Sequence, residues 1–287
     1  MIFLLLFCAW PYAARAADDD GGWHTETSDI VGQEGPCNIE RHDGKQLSQE
    51  EFVKRYAFAE PVIIYNIDNE QFRKVTTRKS MLDGWKDTPV TLNSANTYSY
   101  TRVPATFGDY IDSHLKPQSR ESLGNETMYL FGDLDQKLWA PLLKEYKLPK
   151  WSLPGHSPAV SFGIAGPGAI PEYKLPKWSL PGHSPALSFG IAGAGTGVPF
   201  HFHGPGFAEV IYGSKRWFLY PYEERPDFEP DHTTMEWYLD AYPSLPREKR
   251  PLECLMKPGE VIYFPDKWWH ATLNTETSVF ISTFLSP

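Results

Sequence analysis

The chain has 287 residues, with 27 Lys and Arg against 36 Asp and Glu, a formal net charge of −9. That size suits one domain, and no second regime of composition divides it. The acidic balance excludes a general nucleic-acid or anionic-membrane binder, because both need a basic footprint. Aromatic residues make up 15% of the chain, which suits a β-rich core lined with rings.

The first residues, MIFLLLFCAWPYAARA, give an apolar run from Ile2 to Trp10 and then the small-x-small site Ala14-Arg15-Ala16. Residues 1–16 therefore read as a secretory signal peptide, too short to span a bilayer, with Asp18, Asp19 and Asp20 directly behind it. No integral membrane segment is expected. Cleavage leaves Cys37 and Cys254, which in an oxidising lumen either pair as a disulfide or stay as two buried thiols. Asn125-Glu126-Thr127 is a glycosylation sequon in a polar loop, so a glycoprotein of the endoplasmic reticulum lumen is expected.

Ser48 with Glu51 reads as a capping box, and Phe52, Tyr56 and Ala59 recur at helical spacing until Pro61. The segment VIIYN after Pro61 reads as a strand. Further helices are expected at Arg78 to Trp85, from Thr106 through Ile111, and from Gln136 to Tyr146. TPVTL near 90 and MYLFG near 130 read as strands. From Ala186 the chain alternates like strands, with one helix from Thr233 to Ala241. Residues 37–135 thus form an N-terminal α/β part, and 136–287 a β core.

Within that core, EYKLPKWSLPGHSPAVSFGIAG from Glu145 returns from Glu172 with only Val160 changed, to Leu187, so 145–193 is a tandem duplication. Two copies are too few for a solenoid. The copies compete for one strand position; Pro185 to Gly193 is expected to fill it, through the AGAGTG link to His201, and the first copy to loop out. His156 and His183, one in each copy, read as loop or core histidines.

The chemistry sits further on. In GTGVPFHFHGPG, His201 and His203 are at i and i+2, on one face of an extended strand. With His270 from KPGEVIYFPDKWWHATLN they form a three-imidazole candidate for one metal ion; the alternative is three buried, hydrogen-bonded histidines. Glu209 is a candidate fourth, acidic ligand if the strand alternation runs unbroken from His203. Lys215 is either an anchor for a carboxylate inside a barrel or a surface lysine beside Arg216. Trp268 and Trp269 read as packing residues, and Asn274 as a partner for nearby backbone.

The strings GSKRWFLYP (213–221) and GEVIYFPDKWWH (Gly259 to His270), together with EEFVKRYAFAEPVII, resemble the JmjC family of jumonji-type cupins. The resemblance implies a double-stranded β-helix with helical additions, and in catalytic relatives iron(II), 2-oxoglutarate and dioxygen acting on a protein side chain. By position it implies His201 and His270 as iron ligands, His203 where relatives carry Asp or Glu, and Lys215 as the partner of the far carboxylate of 2-oxoglutarate. Val198 stands where relatives often place a threonine. Three imidazoles leave the full charge on a divalent ion, whereas a carboxylate would offset part of it. The expected function is that of a binding or regulatory protein with a degenerate cofactor site and a protein partner, associated through this resemblance with positive regulation of NF-κB-type signalling and of metabolism. The alternatives are an iron(II)/2-oxoglutarate protein hydroxylase or demethylase, and a three-histidine oxygenase without 2-oxoglutarate.

Overall fold

The structure is a computed structural model that describes residues 20–23, 34–94, 101–120, 128–131, 135–158 and 187–286. The leader, the Asn125 sequon and His183 lie outside the described residues.

The chain opens with β1 (Arg41–Asp43), α1 (Gln49–Arg55), β2 (Val62–Tyr65), α2 (Glu70–Val75), α3 (Arg78–Trp85), β3 (Pro89–Ser94) and β4 (Arg102–Thr106). Ser48 and Thr77 cap α1 and α3, each accepting a backbone N–H from three residues on. Thr106 caps α4 (Phe107–Asp109) with a full reciprocal box to Asp109, and a π-helical turn over Tyr110–His114 follows. Next come β5 (Met128–Phe131), α5 (Gln136–Leu143), β6 (Ser157–Pro158) and β7 (Leu187–Ala192). The last part holds β8 (Gly206–Tyr212), β9 (Lys215–Tyr220), α6 (Thr234–Asp240), β10 (Leu252–Met256), β11 (Glu260–Phe264), β12 (Trp269–Asn274) and β13 (Ser278–Ser286).

Two sheets form the barrel. The larger runs β1-β2-β11-β8-β13-β7-β5-β3-β4, with β6 also paired to β13, and the smaller runs β10-β9-β12. Strands from both halves of the chain share the larger sheet: β2 pairs with β11, and β5 with β7. Gly213 makes the corner where the chain leaves the larger sheet for the smaller; its φ is +72° and a Cβ there would lie 2.2 Å from the Thr277 carbonyl oxygen. Ala208, Val210 and Ile262 of one sheet meet Trp217, Leu219 and Met256 of the other in a single buried cluster. Strand alternation sends the other side chains outward, Ile211, Val279 and Ile281 onto the Trp139 cluster and Phe218, Ala271 and Leu273 onto α6. Each fully buried side chain of this size contributes about 1.5–3 kcal/mol of transfer free energy, so both faces of each sheet stabilise the barrel.

The duplicated segment is used differently from the sequence expectation. The second copy does supply β7, but the first copy does not loop out from its start. Tyr146 packs in the Trp139 cluster, Trp151 and Leu153 are buried against Phe52 and Tyr263, and Ser157–Pro158 pair with β13. The reason is burial: two large apolar side chains and a buried tyrosine secure the first half of copy one before the chain departs. The described parts of the two copies, 145–158 and 187–193, together make up one repeat unit except for its alanine, Ala159 or Ala186.

Several elements escaped the sequence reading, among them β1, β4 and α2. β1 is three residues long, β4 carries Pro104 at the edge of the larger sheet where a missing N–H costs nothing, and α2 has no side-chain hydrogen bond at its N-cap. A disulfide joins Cys37 to Cys254 across 217 residues and ties the N-terminal segment to β10. Asn38 reinforces it, giving its N–H to the Glu253 carbonyl and accepting the Glu253 N–H at its Oδ1. Among the described residues no helix is long and apolar enough to cross a membrane.

Candidate metal and carboxylate site

The segment leading to the first two histidines runs beside β12 as an irregular fourth strand of the smaller sheet. Asn274 and Thr272 give their N–H groups to Thr196 and Val198, and His201 exchanges both backbone bonds with His270, at 3.1 and 2.8 Å. Only the His201 to His270 pair forms a bridge, so the expected regular strand through the HFH motif is an extended segment instead. Pro199 has no N–H to give, which breaks the ladder just before His201. Close approach to β12 also requires Gly197, where a Cβ would lie 1.8 Å from the Thr272 carbonyl oxygen.

This pairing brings the three imidazoles together. Ring centroids are 4.2 Å apart for His201 and His270, 4.7 Å for His203 and His270, and 5.4 Å for His201 and His203. One nitrogen from each lies within 4.8 Å of the others. The Nδ1 of His201, His203 and His270 meets the carbonyl oxygen of Pro199, Gly204 and Trp268 at 2.8, 2.7 and 2.9 Å. A carbonyl only accepts, so each Nδ1 carries the proton and each Nε2 keeps its lone pair. That is the tautomer a metal ligand needs, fixed by an outer hydrogen bond.

Packing holds the rings in place. Trp217 stacks on Phe264 and His270, and His203 meets Phe264 and Phe284 edge-on. Burial is the first cause of lowered basicity in all three: it brings His201 down to about 3, lowers His203, and puts His270 well below its ordinary value. Near pH 7 the cluster is therefore neutral and ready to accept a cation.

Lys215 points inward and is not a surface lysine. It is 3% exposed and shares the pocket with the three histidines, Thr272, Ser282 and a ring of aromatic side chains. Its Nζ lies 3.4 Å from the centroid of Phe280, and among the described residues it has no hydrogen-bond or ion-pair partner. Burial pulls its pKa down to about 7. Among the described residues no Asp or Glu lines this pocket. The space, mouth included, is about 360 Å³, at the lower end of the ~300–1,000 Å³ usual for small-molecule sites.

Glu209 does not join the histidines. Gly204-Pro205-Gly206 interrupts the alternation, and on β8 it is Ala208 and Val210 that face the barrel interior. Glu209 turns to the outside, where its Oε2 accepts from Tyr146 Oη at 2.9 Å and Asn69 Nδ2 at 2.8 Å. Asn69 in turn bonds both the N–H and the carbonyl of Lys147, so this buried trio pins the first repeat copy. The sequence reading missed it because its three members are spread over 140 positions.

Val198 lies in the pocket lining and gives its N–H to Thr272 Oγ1 at 3.2 Å. Asn274 donates to the Thr196 carbonyl at 2.8 Å. Trp268 packs at the barrel end of the site, and Trp269 turns to the opposite face, its Nε1 bonded to the Tyr222 carbonyl. His156 is a loop histidine against Phe58. The donor set fits a divalent metal ion, and the unpartnered Lys215 fits a carboxylate.

Comparison with known proteins gives the same frame. Residues 48–284 match the cupin-like domain family. The chain is 47% identical, over 98% of its length and 97% of the relative, to human JmjC domain-containing protein 8. It is 27% identical over 85% of its length to the lysine-specific demethylase JMJ21 of Arabidopsis thaliana, of which it spans 25%. Among solved structures, a ribosomal oxygenase from Escherichia coli in complex with cobalt and succinic acid shares 16% identity over 84% of this chain and 52% of that one, with a TM-score of 0.43. The full-length match to a JmjC protein and the family match over most of the chain agree: this chain is a member of the cupin-like family, on its JmjC branch.

Proposed function

We propose that this is a JmjC-fold binding or regulatory protein of the endoplasmic reticulum lumen, with a metal site altered from that of the oxygenases it resembles. One observation carries the reading: His201, His203 and His270 converge, and among the described residues no acidic side chain joins them. A bound cation then keeps its full charge, and the electronic balance on which the usual iron chemistry depends is missing. Positive regulation of NF-κB-type signalling and of metabolism, through a protein partner, belongs to this proposal by resemblance. The luminal address is supported by the leader at residues 1–16, the Asn125 sequon and the Cys37–Cys254 disulfide. Expression in secretory cells should give a chain starting after Ala16, with an endoglycosidase-sensitive mass shift lost in Asn125→Gln; a product retaining Met1 would overturn that address.

A second reading, an iron(II)/2-oxoglutarate protein hydroxylase or demethylase, is favoured by Lys215. When bound, iron(II) and 2-oxoglutarate would supply the electrons that activate dioxygen, the oxidant of this chemistry. The chain's own part would be to hold the metal with three Nε2 atoms, to fix a carboxylate at Lys215, and to exclude water with Trp217, Phe264, Phe280 and Phe284. A three-histidine oxygenase that needs no 2-oxoglutarate is a weaker variant of the same site. Anaerobic purification with metal analysis, followed by 2-oxoglutarate titration and assay of succinate release, separates these readings. Stoichiometric iron with turnover, the iron lost in His203→Ala and the 2-oxoglutarate binding and turnover lost in Lys215→Ala, would replace the regulatory reading by the enzymatic one.

A further inference from the structure

The two sheets leave a seam in the barrel, where β1 at the edge of the larger sheet meets β10 at the edge of the smaller. Residues 34–39 run along it as a strap. Asn38 gives its N–H to the Glu253 carbonyl at 3.0 Å and accepts the Glu253 N–H at 2.6 Å, and Glu34 pairs with Lys257 at 2.7 Å. Gly35 lies so close over Arg216 that a Cβ would come within 2.1 Å of Nη2. The Cys37–Cys254 disulfide is the covalent link across this seam. Its two sulfurs belong to residues in unlike surroundings. Cys37 is exposed, whereas Cys254 is 1% exposed and packs in the barrel core with Trp217 and Met256. Arg41 of β1 points Nη1 at the Cys254 sulfur from 3.8 Å, while its Nη2 is paired with Glu260.

We propose that this disulfide is a thiol-exchange site, at which Cys37 takes up an incoming cysteine thiol and Cys254 leaves beside Arg41. Access selects the sulfur that is attacked, and the exposed residue is Cys37. The incoming thiolate forms a bond to Cys37 Sγ and its sulfur is oxidised; the Cys37–Cys254 bond breaks, and its electron pair stays on Cys254, which is reduced to the thiolate. No further oxidant or reductant enters. Burial alone would disfavour that thiolate, and the guanidinium beside it offsets the cost. The bonds of Asn38 to Glu253 and the pairing of β1 with β2 keep Cys37 close, so Cys254 can attack in return and release the incoming thiol. The disulfide is thus a reversible clasp. While it is open, residues 34–37 are free to lift from Arg216 and uncover the edge of β10. Nothing in this chemistry draws on the histidine pocket.

The test exposes the folded, oxidised chain to two thiols at equal concentration: reduced glutathione, and a reduced thioredoxin-type protein whose resolving cysteine is replaced by serine. Acid quenching and peptide mass spectrometry then locate the adducts. Adducts on Cys37, with Cys254 left as a free thiol, are expected. Faster reaction with the protein thiol would point to a protein partner, and faster reaction with glutathione to a small one. Arg41→Gln should slow adduct formation about threefold or more in the folded chain and leave the rate in denaturant unchanged, because a poorer leaving thiol departs more slowly. A lost ion pair that only loosened the strap would speed the reaction instead. Adducts on Cys254, or formation no faster than global unfolding of the same chain, would overturn the proposal. A folded Arg41→Gln that reacts as fast as wild type or faster would remove Arg41 from it.

Discussion

His201 and His270 exchange both backbone hydrogen bonds, at 3.1 and 2.8 Å, and their rings lie 4.2 Å apart. One cross-strand pair thus sets the spacing of two of the three imidazoles before any metal arrives. The site is built into the ladder rather than carried on a loop, which is what precise ligand placement requires. His203 is different, since it follows the bridge and its ring is held by Gly204, Phe264 and Phe284.

His203→Asp should restore the acidic ligand that the site lacks. Metal affinity without added anion should rise at least about tenfold, because opposite unit charges ~4 Å apart interact by about 4 kcal/mol at an effective dielectric constant of 20. Metal retained after dialysis, measured by elemental analysis, checks this. An unchanged metal content would mean that position 203 does not reach the ion.

Glu209 gives a pH signature away from the metal. Burial pushes its pKa up to about 7 from 4.5, although Tyr146 and Asn69 oppose the rise. A raised acid contributes stability that is complete below its unfolded pKa and is lost as pH rises through its folded value. Between about pH 4.5 and 7 this group should therefore make wild type progressively less stable relative to Glu209→Gln. Urea denaturation at several pH values should show the difference between the two curves growing towards neutrality; a constant difference would contradict it.

Removing one repeat unit should be tolerated. Deleting the 27 residues from Ala159 to Pro185 joins Pro158 to Ala186 and leaves one intact repeat. Because the copies match, deleting Lys147 to Tyr173 gives the same product. The core contacts of Tyr146, Trp151 and Leu153 and the β7 pairing all lie outside the 159–185 segment. A melting temperature within a few degrees of wild type, followed by circular dichroism, is the expected outcome.

Cys254→Ser should cost about 2–5 kcal/mol, the usual loss for a native disulfide. Chemical denaturation of wild type under reducing conditions should show a similar drop. Free Cys37 and Cys254 in the protein produced in secretory cells, both open to alkylation after denaturation, would count against the bond.

Local signals carried much of this structure into the sequence. Ser48, Thr77, Thr106 and Thr233 all cap helices because a hydroxyl three residues before a free N–H satisfies it whatever the surroundings. The i, i+2 spacing of His201 and His203, and the motifs around Lys215 and His270, marked the pocket residues. Long-range facts were not readable in the same way. Whether Glu209 faces inward depended on the break at Gly204-Pro205-Gly206, and the direction of Lys215 on the parity of β9 within the smaller sheet.

By itself, then, the amino-acid order determined the family, the starts of the helices capped by Ser48, Thr77, Thr106 and Thr233, and the identity of the candidate ligands, since these rest on neighbours a few positions apart. Only the tertiary structure decided that three imidazoles converge and that, among the described residues, no acid stands beside them and Lys215 has no hydrogen-bond or ion-pair partner, and that copy one of the repeat begins in the core. Each of these depends on which strands pair, and pairing is fixed by burial summed over residues that lie far apart in the sequence, 69 positions for His201 and His270.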